Sequence, residues 1–208
     1  MWLLWGSAAL AGTDVLSEKA HVELEAGFYA GDRSLGVAPF ELVGPDGRPI
    51  AGLDGPFAEY PLRDALVAGP RLELRVVDPP LRASLGVAAV FPEWDVASPE
   101  VAETGVAGPV VSSVRGAAMF DGVSTIGLEL PTGLLVPFAD LVGTVHVTDL
   151  ALEVDGVPAT FRSRSFSLGA RGGVRLQVGK HTFAQAAGEV TPFGPSRWGA
   201  TVGVGVAL

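Results

Sequence analysis

Residues 165–179, SFSLGARGGVRLQVG, alternate in character at every step. The even positions are Phe166, Leu168, Ala170, Gly172, Val174, Leu176 and Val178, and the odd positions include Ser165, Ser167, Arg171, Arg175 and Gln177. A two-residue period is that of a β-strand, whose successive side chains leave opposite faces. Such a strand has one apolar face and one polar face, and the fold follows from which face meets water. In a soluble barrel the apolar face turns inward. In a membrane barrel it turns outward to lipid.

The same period recurs in segments 21–30, 71–76, 81–91, 124–130, 135–147, 182–190 and 198–208. Their apolar rows run, for example, through Val22, Leu24, Ala26 and Phe28, or through Trp198, Ala200, Val202, Val204 and Val206. The opposite rows carry Glu23, Glu25, Arg71, Glu73, Arg75, Arg82, Glu129, Asp140, Arg171, Arg175 and Glu189. Short connections such as VDPP, PTG and GKH alternate with long ones, so the eight segments predict an up-and-down barrel with tight turns at one end. Segment 109–120 resists assignment, and strands added there would make ten.

The 208 residues are 48% hydrophobic, yet no apolar run reaches the ~18–20 residues of a membrane-spanning helix. There is no cysteine, which excludes disulfides and thiolate metal sites. A net charge of −9 argues against nucleic acid as a partner. The amino terminus, MWLLWGSAALAGT, has an apolar stretch and a small-residue site at Ala9-Leu10-Ala11. It reads as a signal peptide over 1–11, a buried N-terminal element being the alternative. One barrel domain is then expected over 12–208, with extracellular loops at about 32–68, 93–120 and 148–160.

Two observations favour lipid outside. The polar face of the last segment is Gly199, Thr201, Gly203, Gly205 and Ala207. A glycine row exposed to water would weaken the strand, whereas inside a narrow barrel it leaves room for long side chains. Phe28, Phe91, Phe166 and Trp198 also fall on the apolar face near the long-loop ends, where an interfacial aromatic girdle belongs. The charged face then becomes the lumen. Its acids and arginines are nearly balanced, which predicts carboxylate–guanidinium pairing. Eight strands enclose only enough space for their own side chains, so the lumen is expected to be plugged.

With these strands the chain resembles the small eight-stranded outer-membrane barrels of Gram-negative bacteria, of the OmpA/OmpX type. The resemblance is most specific over 164–208, where WGATVGVGVAL supplies the alternating carboxyl-terminal strand but ends in Leu208 instead of the usual Phe. It implies an all-β, closed antiparallel transmembrane barrel in the bacterial outer membrane. Lipopolysaccharide and the barrel-assembly machinery would be its partners, and it would be monomeric. Members of this family differ widely in role. A structural or surface-interaction role is therefore expected, with no catalytic residues, cofactor or metal. A narrow channel, a lipid-modifying enzyme and a soluble lipocalin-like binder are the alternatives. For the enzyme, His146 and Thr148 share a face, but that face is the lumen. His21 sits on the charged face of its strand and His181 in a turn.

Overall fold

β-branched and aliphatic residues at alternate positions hold the backbone extended, and Gly- and Pro-containing turns end each run. The fold is known from a computed structural model that describes residues 20–34, 40–48, 64–92, 111–154 and 157–208. The strands are β1 (His21–Ser34), β2 (Phe40–Val43), β3 (Asp64–Asp78), β4 (Leu81–Pro92), β5 (Val111–Glu129), β6 (Leu135–Val154), β7 (Val157–Gln177), β8 (Thr182–Phe193) and β9 (Trp198–Ala207). All of them but β2 form one closed antiparallel ring, in the order β7-β6-β5-β4-β3-β1-β9-β8 and back to β7. Closure leaves no free sheet edge at the membrane level.

β2 is not a ring member. It lies between β1 and β3 in the chain but pairs with Thr160–Ser163 of β7. It can do so because β8 meets β7 only from Leu168 downward, which leaves the upper edge of β7 unpaired by β8. The ring accordingly has eight strands rather than ten.

The strands are longer than the alternating segments suggested. β5, β6 and β7 run for 19, 20 and 21 residues, against the ~9–11 that a tilted strand needs to cross a bilayer. All three expected loops are corrected here. Of 32–68, residues 32–34 belong to β1, 40–43 to β2 and 64–68 to β3; residues 111–120 belong to β5; and 148–154 and 157–160 form the top of the β6–β7 hairpin, with Val154 opposite Val157. Sequence missed these extensions because above the membrane the outward face turns polar and the inward face apolar, which reverses the phase of the alternation. The expected signal at 1–11, and the loop segments 35–39, 49–63 and 93–110, lie outside the described residues.

The three long strands therefore make a tall wall on one side of the barrel. On the other side, β8 and β9 join through the low turn at 194–197. That turn is pinned to β1: Asp32 Oδ1 accepts from the backbone N–H of Arg197 and of Trp198, both at 2.8 Å.

The exterior is apolar and the interior ionic. Leu85, Leu141 and Val204 are 70%, 67% and 64% exposed, while Arg75 and Arg175 are completely buried. Val174 points outward and Arg171 inward, which excludes a soluble barrel with a greasy centre. On β7 the outward apolar row runs from Phe166 to Leu176. At about 3.3 Å per residue and a tilt near 40°, that is about 25 Å along the axis, the height of a membrane band.

Candidate functional site: the packed lumen

The lumen is built in layers because each strand contributes an inward residue at every second position. Near the short turns, Arg175 of β7 pairs with Glu23 of β1 and donates to Glu129 of β5 at 2.8 Å. Arg75 donates to Glu23, Glu25 and Glu73, each at 2.9 Å. Across the barrel, Arg171 reaches Glu73 with two N–H groups at 3.0 Å and Asp140 at 2.8 and 3.0 Å. Arg71 donates to Glu73 at 2.6 Å. Arg82 lies 3.1 Å from Asp140 and 3.6 Å from Glu129. Charges this deep persist because the forks of Arg75, Arg82, Arg171 and Arg175 each meet carboxylates from more than one strand, while Arg71 is held by Glu73 of its own strand.

Phe138 and Phe183, which share the lumen face, cover guanidiniums. Arg82 lies 3.9 Å from the Phe138 ring centre and Arg175 lies 5.5 Å from that of Phe183. Arginine's planar, weakly hydrated group suits such a contact.

Glu189 is the exception in the predicted network. It stands opposite Arg171 in the ladder, but Arg171 is engaged by Glu73 and Asp140. The contact made by Glu189 is the hydroxyl of Thr191, at 3.5 Å. Gln185, not anticipated, joins instead, 3.5 Å from both Arg82 and Glu25.

The glycine row of β9 does what a narrow lumen requires. A Cβ at Gly203 would stand 2.5 Å from Glu25 Oε1, one at Gly199 would stand 2.7 Å from the Tyr29 ring, and one at Gly205 would overlap the Phe183 ring. The large neighbours come from the adjacent strands β1 and β8. Gly203→Val is therefore expected to destabilise the folded barrel by ~1–3 kcal/mol through overpacking. Urea titration of the vesicle-folded protein measures this, and no loss would mean the Glu25 side chain has room to move.

Above the ionic layers lies a hydroxyl and imidazole layer. Ser84 and Thr125 share a 2.6 Å hydrogen bond. His146 bonds Asp121 through Nδ1 at 2.8 Å and Ser167 through Nε2 at 2.6 Å. Its partner is thus Ser167 rather than the Thr148 two residues on. Arg33 pairs with Asp121 at 2.6 Å. Arg33 and Asp121 were missed because they lie just outside the segments assigned as strands. Carrying the odd-numbered lumen parity of 21–30 and 124–130 a few residues further would have found both. They add one charge of each sign and so preserve the balance.

Higher still, the lumen becomes apolar. Tyr29, Val67, Val90, Met119, Leu150, Leu152 and Phe161 pack together there, with Leu42 of β2 over them.

Outside, Phe28, Phe91, Phe166 and Trp198 are all about half exposed, and Phe120 and Phe193 join them on the lipid side. Directly above Phe166 on the outward face come Arg164 and Arg162, the former 3.2 Å from Asp149 of β6. The apolar band ends at that step. Among the described residues no helix is long and apolar enough to cross a membrane, and no group of His, Asp or Glu could hold a metal ion.

A closed antiparallel ring, greasy outside and ion-paired inside, defines a β-barrel of the outer-membrane type. No protein-family model and no curated protein matches the sequence. Among solved structures the chain is similar to Neisserial surface protein A (11% identity, TM-score 0.49, covering 92% of this chain and 99% of that one). It is also similar to Ail, the attachment invasion locus protein of Yersinia pestis, solved with a heparin analogue (11% identity, TM-score 0.46, covering 91% and 99%). The class rests on the ring and its two faces, not on these distant likenesses.

Proposed function

We propose that the chain is a monomeric structural and surface-interaction barrel of the bacterial outer membrane, with a plugged lumen. The observation that carries this reading is the double seal. Ion pairs fill the lower lumen with fully buried guanidiniums, and an apolar cluster fills the upper lumen. Layers packed in this way are unsuited to the continuous water path that a channel needs. The tall β5–β7 wall then lifts sheet surface and loops above the membrane, where a partner can reach them. Arg162 and Arg164 stand at headgroup height, suited to the phosphates of lipopolysaccharide. β9 supplies the alternating carboxyl-terminal strand that the assembly machinery would read.

The purified barrel is expected to give no steady conductance in planar bilayers. Ohmic steps would overturn the plug. Orientation is tested on intact cells, helped by the absence of native cysteine. Ala151→Cys, above the band on β6, is expected to react with a membrane-impermeant maleimide. Lys180→Cys, in the β7–β8 turn, is not. The reverse pattern would invert the barrel and refute an outward-facing wall.

A further inference from the structure

Three lumen side chains from neighbouring strands form one line of hydrogen bonds: Asp121 on β5, His146 on β6 and Ser167 on β7. Asp121 Oδ1 lies 2.8 Å from His146 Nδ1, and His146 Nε2 lies 2.6 Å from Ser167 Oγ. A carboxylate can only accept, so Asp121 fixes the proton of the neutral ring on Nδ1. Nε2 then offers a lone pair, and the Ser167 hydroxyl must donate to it. That is the polarity of a serine activated by a general base, whatever fold carries it. Arg33 holds Asp121 Oδ2 at 2.6 Å and so keeps the carboxylate in place. Arg33 uses the carboxylate oxygen that His146 does not, and among the described residues its Nε and Nη1 have no hydrogen-bond partner.

Access is the second requirement. Ser167 is itself buried, but its hydroxyl lies directly under Gly194 in the low β8–β9 turn. Gly194 is exposed, has φ +114°, and any Cβ on it would overlap Ser167 Oγ. One bare backbone residue separates the hydroxyl from the outside on the short side of the barrel.

We propose that Ser167 is an activated nucleophile that takes the acyl group of small carboxylic esters, with His146 as its base and Asp121 as the positioning residue. Ser167 Oγ bonds to the ester carbonyl carbon as its proton passes to His146 Nε2. The carbon–alkoxy bond breaks and the alcohol leaves with that proton. Water, deprotonated by the same imidazole, then releases the acid. This reactivity goes beyond the surface role and would stand if that role failed.

The test uses the folded full chain in detergent and a small alkyl fluorophosphonate. With it, an Oγ–P bond forms, the P–F bond breaks and fluoride leaves. The expected result is one adduct per chain, mapped to Ser167, absent in Ser167→Ala and formed at least ~100-fold more slowly in His146→Ala. Folded protein that stays unmodified, or is modified elsewhere, overturns the proposal, as does a rate indifferent to His146→Ala. Should His146→Ala not fold, the adduct site in the native chain still decides. The native protein is further expected to release nitrophenolate from p-nitrophenyl acetate faster than Ser167→Ala. Equal release by both overturns the assignment.

Discussion

Replacing Glu73 by leucine is expected to cost the barrel about 3–5 kcal/mol, the loss typical when one member of a buried ionic cluster is removed. Glu73 accepts from Arg71, Arg75 and Arg171, on two strands that face each other across the lumen. Arg75 would keep Glu23 and Glu25, and Arg171 would keep Asp140. Arg71 would lose its one ion-pair partner among the described residues. The penalty is therefore mainly that of an unpaired guanidinium in a dry interior. The double variant Glu73→Leu, Arg71→Leu should recover part of it, because both charges are then gone. Urea-dependent folding into phospholipid vesicles, followed by the mobility shift of unheated samples, measures each variant. A loss below about 1 kcal/mol for Glu73→Leu would show that water reaches this layer.

The second large effect lies on the other face. Ala170 is on the outward row of β7, midway along the apolar band, opposite Leu141 and Val190. Ala170→Arg is expected to destabilise the inserted barrel by ~2–4 kcal/mol, since the guanidinium must sit near the bilayer midplane. Ala151→Arg, also outward but above Asp149, should cost ~0–1 kcal/mol. The same vesicle titration compares the two. Equal costs would place the membrane boundary somewhere other than the step from Phe166 to Arg164.

Much of the fold was legible because barrels write their two faces directly into the chain. Arg171 and Val174 could be assigned to opposite solvents from parity alone, and the β9 glycines from the space their neighbours need. The limits of legibility have physical causes. Above the membrane the alternation of β6 and β7 inverts, with Leu150, Leu152 and Phe161 inward and Asp149, Arg162 and Arg164 outward, so a search for outward apolar rows stops before the strand does. β2 is four residues long, and its partner is set by the shortness of β8, which no local pattern encodes. The ion pairs were legible as a set but not as partners, because Asp140 and Glu189 both face the lumen opposite Arg171 in the ladder, and its cross-barrel partner Glu73 is set by the barrel's stagger. The Asp121–His146–Ser167 line was hidden for a related reason. Its members lie 25 and 21 residues apart and meet only through ladder register.

The ionic lumen has a bearing on how the protein comes to be built. Arg171 finds Glu73, and Arg175 finds Glu23, only when strands from distant parts of the chain have curled round to meet. An open sheet of β3 to β7 in a bilayer would give Arg175 only Glu129, and a smaller one of β4 to β7 would give Arg171 only Asp140, so each cation lacks carboxylates that the closed ring supplies. Partial structures are thereby disfavoured, and the last seam to zip, wherever it lies, is when the stabilisation arrives. Assembly should be all-or-none.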